Sequence, residues 1–247
     1  GAKNMTLSLA IFWIIIVSVF SVLGAWYARR YDRPDALIAL YVTLVVFSNI
    51  AVSKIITFDF GFTQFFAPAT VLIFSVTFLL TDIVNERFGK KETQRMILIA
   101  LFAQIALILF SYLVLKAQGA PFFQNQAAFE TLLGNVPRIV IASLIAFYVS
   151  ENVDAHLFHW LRKLTGGKHL WVRNAFSSIP SMLLDSVLFV TLAFYGTMPI
   201  LPLIIGLSVT KWLVGVIDIP FMYLSRAVLG KHTSEPHVEA PLPHSGM

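Results

Sequence analysis

The feature that most constrains this chain is a series of seven apolar runs, each about long enough to cross a lipid bilayer as a helix. A helix needs about 20 apolar residues to span the hydrocarbon core. Only 13% of the residues are charged, well below the share in a soluble domain. The runs cover 7–27, 36–56, 65–83, 96–115, 136–157, 175–195 and 200–224. The sequence therefore predicts an all-α integral membrane protein with seven transmembrane helices.

The distribution of basic residues predicts the orientation of these helices. Thirteen of the eighteen Lys and Arg residues follow the first, third, fifth and seventh runs, and the opposite connections have almost none. Because cytoplasmic loops are enriched in Lys and Arg, we expect a multi-pass protein of the inner (cytoplasmic) membrane, with its N-terminus outside and its C-terminus in the cytoplasm. This topology explains the net charge of +5, so a nucleic-acid partner is not needed.

Four runs carry ionisable side chains at or near membrane depth. These are Asp82, Glu86, Glu151, Asp154, Asp185, Lys211 and Asp218. A charge at the centre of a membrane helix costs roughly 2.5–3.5 kcal/mol, so three such residues facing lipid would cost on the order of 8–10 kcal/mol. We therefore expect Asp185, Lys211 and Asp218 to face the interior of the helix bundle.

The spacing of these residues predicts a shared polar face. Lys211 and Asp218 are seven residues apart, which places them two turns apart along one stripe of a helix. Ser181 and Asp185 are four apart, and the two acids of the fifth run are three apart. With the orientation above, several helices would bring acceptors to one polar cavity between the membrane midplane and the cytosol.

Structural roles are open for the residues near the helix ends. Asp82 and Glu86 could be interfacial charges that pair with Arg87 and Lys90. Asp154 lies near the cytosolic boundary, where a solvated acid is ordinary.

Structural roles are equally open deeper in the bundle. Lys211 could form a purely structural ion pair with Asp185 or Asp218. Asn49 could simply bond a neighbouring helix, as intramembrane polar residues often do.

Signatures of catalysis and of metal binding are missing. The sequence has no Cys, no His-Glu-x-x-His or Gly-x-Ser-x-Gly motif and no Walker A loop. We therefore predict no catalytic residues, no metal and no cofactor.

Four segments resemble, in this order, the motifs of the queuosine-precursor transporter family (YhhQ-type, vitamin-uptake-transporter-like). They are "LTDIVNERFGKK", "VSENVDAHLFHWLRK", "WVRNAFSSIPSMLLDSVLFVTLAFYG" and "KWLVGVIDIPFMYL". The resemblance covers about 37–229. It departs from the family at Ile219, where we expect Thr between Asp218 and Pro220.

The resemblance implies a six-helix bundle similar to the substrate-binding components of energy-coupling-factor transporters. The expected organisation is an N-terminal extension (1–6), one additional transmembrane helix (7–27), the six-helix transporter domain (36–229) and a disordered polar tail (230–247). The additional helix could be an accessory element or a contact in a homodimer.

The resemblance also implies uptake of 7-cyano-7-deazaguanine (preQ0) and 7-aminomethyl-7-deazaguanine (preQ1) for tRNA modification. A carboxylate can accept the two donors of such a base, and an amide or ammonium can donate to its oxygen. The expected substrate-binding residues are Asp185, Glu151, Asp82, Asn49, Asn174, Ser181, Lys211 and Asp218. Gating or interface roles are expected for Glu86, Asn85 and Asp154.

Import by the chain alone could run by facilitated diffusion or by proton coupling. Three alternatives to an independent importer are also open. The chain could instead be a vitamin-type binding subunit that needs a separate ATP-driven module. An integral-membrane enzyme and a purely structural membrane protein are the other two alternatives.

Overall fold

A computed structural model describes residues 7–59, 63–164 and 170–229, without the side chains at 7–8, 155, 158–159, 161–164 and 170–178. In these ranges the backbone forms helices and one two-stranded sheet. They are α1 (Leu7–Tyr31), α2 (Asp35–Ala51), β1 (Ile55–Asp59), β2 (Gln64–Pro68), α3 (Val71–Phe88), α4 (Lys90–Lys116), α5 (Gln126–Gly134), α6 (Val136–Leu164), α7 (Leu170–Phe194) and α8 (Ile200–Leu229). The predicted extension 1–6 and tail 230–247 lie outside the described residues.

Each of the seven predicted apolar runs overlaps one long helix, and the short α5 was not predicted. Among the described residues, four stretches are long and apolar enough to cross a membrane. They are Leu9–Tyr31, Lys90–Lys116, Gln126–Asp154 and Ile200–Leu229. The chain is therefore a mostly helical integral-membrane protein, and the count of seven spans stays a prediction.

The connection between α2 and α3 is a β-hairpin, which corrects the predicted ends of the second and third runs. Ile55–Asp59 pairs antiparallel with Gln64–Pro68, with Ile55 opposite Pro68. The residues at 55–58 and 65–66 are β-branched or aromatic and suit a strand, and Pro68 interrupts helical hydrogen bonding before α3. An apolar run does not distinguish a strand from the end of a helix. The prediction of an all-α chain was therefore wrong at this hairpin.

The hairpin lies directly against α8. At Gly206 of α8, an added Cβ atom would collide with the backbone of Phe66 in β2. Only glycine permits this close approach. Ala67 of β2 is buried in a core with residues of α6, α7 and α8, and Val52, just before the hairpin, belongs to the same core. The hairpin is thus an integral part of the bundle at the start of α8.

The additional N-terminal helix packs onto the same bundle. Its small residues Ser21, Ala25 and Ala28 are buried against α3 and α8, whereas large residues such as Phe12 on other faces are exposed. The Ser21 hydroxyl donates to the Phe221 carbonyl of α8 at 3.2 Å. Small side chains let the helix backbones approach closely. α1 therefore covers the contact between α3 and α8.

Antiparallel helices α6 and α7 form an extensive pair on the other side of the bundle. Near the start of α6, the Arg138 guanidinium donates to the carbonyls of Leu192 at 2.8 Å and Tyr195 at 2.7 Å. A cation here complements the negative end of the α7 dipole. This contact gives a structural reason for a basic residue at the beginning of α6.

Candidate functional site

A small cavity lies where α2, α3, α6, α7 and α8 meet. Its volume is about 70 Å³. Three of the predicted substrate-binding residues line it, namely Asn49, Asp185 and Lys211, and the rings of Phe74 and Phe189 form part of its wall. The end of α2 and the beginning of α3 both face this space, because the hairpin that connects the two helices returns the chain to it.

An ion pair between Asp185 of α7 and Lys211 of α8 dominates the electrostatics of the cavity. The Lys211 ammonium contacts the Asp185 Oδ2 atom. The Asp185 side chain is 22% exposed and the Lys211 side chain only 11%. Ser150 of α6 donates to Asp185 Oδ1 at 3.5 Å, and the Lys211 nitrogen lies 5.6 Å from the centre of the Phe74 ring. The cavity thus presents one anion and one cation beside an aromatic face.

Asn49 supplies an amide to the wall formed by α2. Its Nδ2 atom donates to the Val45 carbonyl at 3.0 Å and to Oε1 of Gln104 in α4 at 3.4 Å. Asn49 and Gln104 are both buried. These bonds hold the Asn49 amide in place and connect α2 to α4, in agreement with the structural role left open for this residue.

Two further predicted residues form a separate polar contact between α6 and α7. The Ser181 hydroxyl donates to Asp154 Oδ1 at 3.2 Å. Neither residue is in the wall of the cavity, and Glu151 is exposed one turn before Asp154. Because Ser150, next to Glu151, bonds Asp185, this contact lies about one turn from the cavity.

Asp218 is in a different place from Lys211, although both belong to α8. It is buried where α8 packs against α3, beside Ser75. Asp82 is the acid of α3 that interacts with it electrostatically. Seven residues separate Asp218 from Lys211, which is about 10 Å along the helix. Asp82 is exposed. Asp82 and Asp218 are therefore not among the residues that line this cavity, and their role in substrate binding stays a prediction.

The acid at the end of α3 makes a long-range ion pair. Glu86 Oε2 accepts from Nε of Arg226 in α8 at 2.9 Å, and both side chains are about half exposed. Arg87 pairs instead with Asp32 at 3.0 Å. The interfacial role left open for Glu86 is thus supported, with Arg226 as its partner in place of the two basic residues considered.

Asn85 and Asn174 complete the predicted set. Asn85 Oδ1 accepts from the Thr93 hydroxyl of α4 at 3.5 Å, so it contributes to the turn between α3 and α4. Gly89 in this turn has a φ of 84°, a conformation that favours glycine. The Asn174 side chain lies outside the described residues.

Sequence reasoning missed four residues that shape the site: Phe74, Gln104, Ser150 and Phe189. Gln104 is the only polar residue of the run "ILIALFAQIALILF", and a lone amide in a membrane helix usually bonds another helix. That signal could have identified it. Phe74 and Phe189 are 2 of 22 Phe residues, and nothing in the sequence distinguishes them from those that face lipid.

Comparisons with known proteins agree on a transporter. A protein-family model described as "Putative vitamin uptake transporter" matches residues 68–225. A "Probable queuosine precursor transporter" of Bacillus subtilis is 26% identical over 222 residues, which cover 88% of this chain and 95% of the relative. A protein of the same description from Haemophilus influenzae is 30% identical over 142 residues, which cover 56% of this chain and 54% of the relative. No solved structure matches the chain.

The matched residues include most of the helices that build the cavity. The family model begins at the end of β2 and ends within α8, so it covers Asp185 and Lys211 as well as the α3–α8 contact around Asp218. Because this match extends over more than half of the chain, the protein belongs to the family described as "Putative vitamin uptake transporter".

Proposed function

We propose that the protein is a membrane transporter that imports queuosine precursors, 7-cyano-7-deazaguanine and 7-aminomethyl-7-deazaguanine, for tRNA modification. The observation that carries this proposal is the cavity in which a carboxylate, an ammonium group and two aromatic rings converge. Two relatives described as queuosine precursor transporters support the substrate class.

The chemistry of the cavity matches the edge of a guanine-like base. The base offers N1–H and a 2-amino group as donors, and the two oxygens of Asp185 can accept both. Its O6 atom needs a donor, which Lys211 or Asn49 can supply. The rings of Phe74 and Phe189 suit the flat faces of the base. A few polar groups in an otherwise apolar wall are typical of small-molecule sites.

The cavity must enlarge before it can accept such a base. Its volume of about 70 Å³ is smaller than a cavity of about 150 Å³ that holds benzene, and a deazaguanine is larger than benzene. Separation of Asp185 from Lys211 would open space between α7 and α8. The base would then bridge the two side chains, so that Asp185 and Lys211 each contact the base instead of one another.

The other predicted residues have supporting roles in this proposal. Glu151, Asp154 and Ser181 would guide the base between the cavity and the cytosol, because they lie toward the basic end of α6 and α7. Asp82 would lie near the same exit along α3, and Asn174 would belong to the beginning of α7. The contacts of Asn85 and Glu86 would hold the ends of α3, α4 and α8 together at the rim.

The proposed topology places the basic connections in the cytoplasm, with the N-terminus outside and the C-terminus inside. Helices α2, α3, α4, α6, α7 and α8 would form the six-helix transporter domain, in an arrangement similar to that of energy-coupling-factor substrate-binding components. Helix α1 would be an additional span, and a homodimer would use its exposed apolar face.

The energy source separates this proposal from its closest alternative. The sequence contains no nucleotide-binding loop, so import would run by facilitated diffusion or by proton coupling. A binding subunit that needs a separate ATP-driven module would bind the base but would not transport it alone. Uptake by the purified protein in liposomes distinguishes the two, and a chemically unchanged base inside them would argue against an enzyme.

The first test is thermal stabilisation of the purified protein by each deazaguanine, with guanine and riboflavin for comparison. A ligand at about 100 times its Kd should add about 2.7 kcal/mol of stability. We expect a shift with a deazaguanine that is lost in Asp185→Asn and kept in Asp35→Asn, a matched change at the start of α2. No shift with any base would refute the substrate assignment.

A further inference from the structure

We propose that Asp218 is a proton-binding site that couples import to the proton gradient and is separate from the substrate cavity. This inference rests on the proposed function, because it assigns an energy source to the same transporter. It also gives Asp218 a role other than the substrate binding expected from the sequence.

The first observation is a buried acid without a cation as a partner in the described part of the chain. Asp218 is 9% exposed, and neither of its carboxylate oxygens has a hydrogen-bond partner among the described residues. It lies about four residues past the middle of α8, which is about 6 Å along the helix axis. An ionised carboxylate without partners is very unfavourable in such a place, whereas a protonated carboxyl is far less so.

No nearby cation is available to Asp218 within the part of the chain that the structure describes. On α8 itself, Lys211 is bound to Asp185 and Arg226 to Glu86. On α1, Arg29 donates to the Val228 carbonyl near the end of α8. The strand β2, which also packs against α8, carries no ionisable residue.

The nearest charged group on α3 is another acid. Asp82 is close enough to interact with Asp218 electrostatically, and Glu86 follows it by one turn. The fully buried hydroxyl of Ser75 on α3 also lies beside Asp218. It can donate one hydrogen bond to the carboxylate, but it carries no charge that would replace a cation. Like charges disfavour ionisation, so the surroundings of Asp218 favour a bound proton over a bare carboxylate.

Helices α3 and α8 connect this acid to the substrate cavity. On α3, Phe74 lines the cavity and the adjacent Ser75 lies beside Asp218. On α8, Lys211 lies in the cavity and Asp218 is two turns further along. A movement that changes the packing of α3 against α8 would therefore change both sites together.

In the proposed step, one oxygen of Asp218 takes one proton from water on the outer side of the membrane, and this neutralises its charge before α3 and α8 pack together around it. Release requires the α3–α8 contact to open toward the end that carries Asp82 and the Glu86–Arg226 pair. There water can stabilise the carboxylate and receive the proton. One proton would enter the cell with each base.

A spectroscopic measurement tests the proton site without any base. The infrared spectrum of the purified wild-type protein at neutral pH should contain the C=O band of a protonated carboxylic acid. This band should disappear in Asp218→Asn and remain in Asp82→Asn, the same change on α3. A wild-type spectrum without the band, or a band that survives in Asp218→Asn, would overturn the proposal.

Uptake into liposomes then tests the coupling. With one proton per base, an inward gradient of one pH unit should raise accumulation up to about tenfold. A protonophore should remove this effect. Asp218→Asn should still be stabilised by the base but should lose the response to the gradient.

The remaining outcomes separate the two proposals. Wild-type uptake that ignores the proton gradient or follows a sodium gradient would overturn the coupling and leave the importer intact. Loss of base-induced stabilisation in Asp218→Asn would assign Asp218 to binding of the base and would also overturn the proposed proton coupling. Failure of the wild type to bind any base would refute the substrate assignment, and the infrared band would still decide whether Asp218 carries a proton.

Discussion

The ion pair between Asp185 and Lys211 makes the most demanding prediction about the energetics of the cavity. Lys211→Met removes the ammonium group but keeps most of the volume of the side chain. Among the described residues, the Asp185 carboxylate then retains the Ser150 hydroxyl as its hydrogen-bond donor, at 3.5 Å. Removal of one partner of a fully buried pair typically costs about 3–5 kcal/mol, since the other charge is left uncompensated.

The expected loss of stability is smaller here because the Asp185 side chain is 22% exposed, so solvent can partly stabilise its charge. We expect Lys211→Met to destabilise the protein by about 2–3 kcal/mol. A change of 1 kcal/mol shifts the Tm of a chain of this size by roughly 2–4 °C. The Tm should therefore fall by about 5–10 °C, as measured by tryptophan fluorescence of the purified protein during heating.

The double variant Asp185→Asn with Lys211→Met provides the decisive comparison. Neither side chain is then charged, so most of the lost stability should return, to within about 1 kcal/mol of the wild type. Binding of a deazaguanine should be absent in the single variant and in the double variant. If the two substitutions are additive, with the double variant less stable than either single variant, the reasoning about an uncompensated charge is refuted.

Three further predictions concern the hairpin, the rim and the substrate. Gly206→Ala should displace β2 or α8, because its Cβ atom would meet the backbone of Phe66. It should therefore lower the Tm more than Gly215→Ala, where a Cβ atom has open space. Equal Tm values of the two variants in thermal unfolding would contradict this. Glu86→Gln should change stability by less than about 1 kcal/mol, because its pair with Arg226 is half exposed; a larger loss of Tm would contradict this. The neutral cyano base should bind more tightly than the cationic aminomethyl base in competition assays, because Asp185 is the only acid among the described residues of the cavity wall; the reverse order would require a further acceptor.

The sequence was sufficient to predict that Asp185, Lys211 and Asp218 would lie largely inside the helix bundle. Charges at membrane depth have few ways to lower their free energy, so Asp185 and Lys211 had few possible partners. Their pairing was one of the two arrangements considered, and the structure contains it. The long helices were predictable for the same reason, because a bilayer demands a minimum apolar length.

The separation of Asp218 from the cavity could not be predicted from helical spacing. Lys211 and Asp218 do share one stripe of α8, as their spacing of seven requires. Packed helices cross at an angle, however, so a stripe meets different neighbours along its length. At Lys211 the neighbour is Asp185 of α7, and at Asp218 it is Ser75 of α3. A single sequence contains no direct information on these crossings.

The hairpin escaped prediction for a different physical reason. Hydropathy measures how much a segment favours an apolar environment, and β1 and β2 are as apolar as the ends of helices. Their hydrogen bonds are satisfied between the strands, and non-helical backbone is tolerated beside a membrane helix when it is buried within the protein. Ala69 supports this arrangement, since its N–H donates to the Lys54 carbonyl at 2.8 Å and closes the base of the hairpin.

The separation of the two sites has a consequence for the charge that must move during transport. Asp185 and Lys211 together are neutral, so a neutral base can enter the cavity without a net charge in the apolar interior. Asp218 with a bound proton is neutral as well. A carrier that moves its helices across the membrane potential does so at the lowest cost when its moving parts carry no net charge, since each elementary charge costs about 2.3 kcal/mol per 100 mV. With the proposed proton at Asp218 rather than in the cavity, the loaded protein would meet this condition without breaking the contacts proposed to recognise the base.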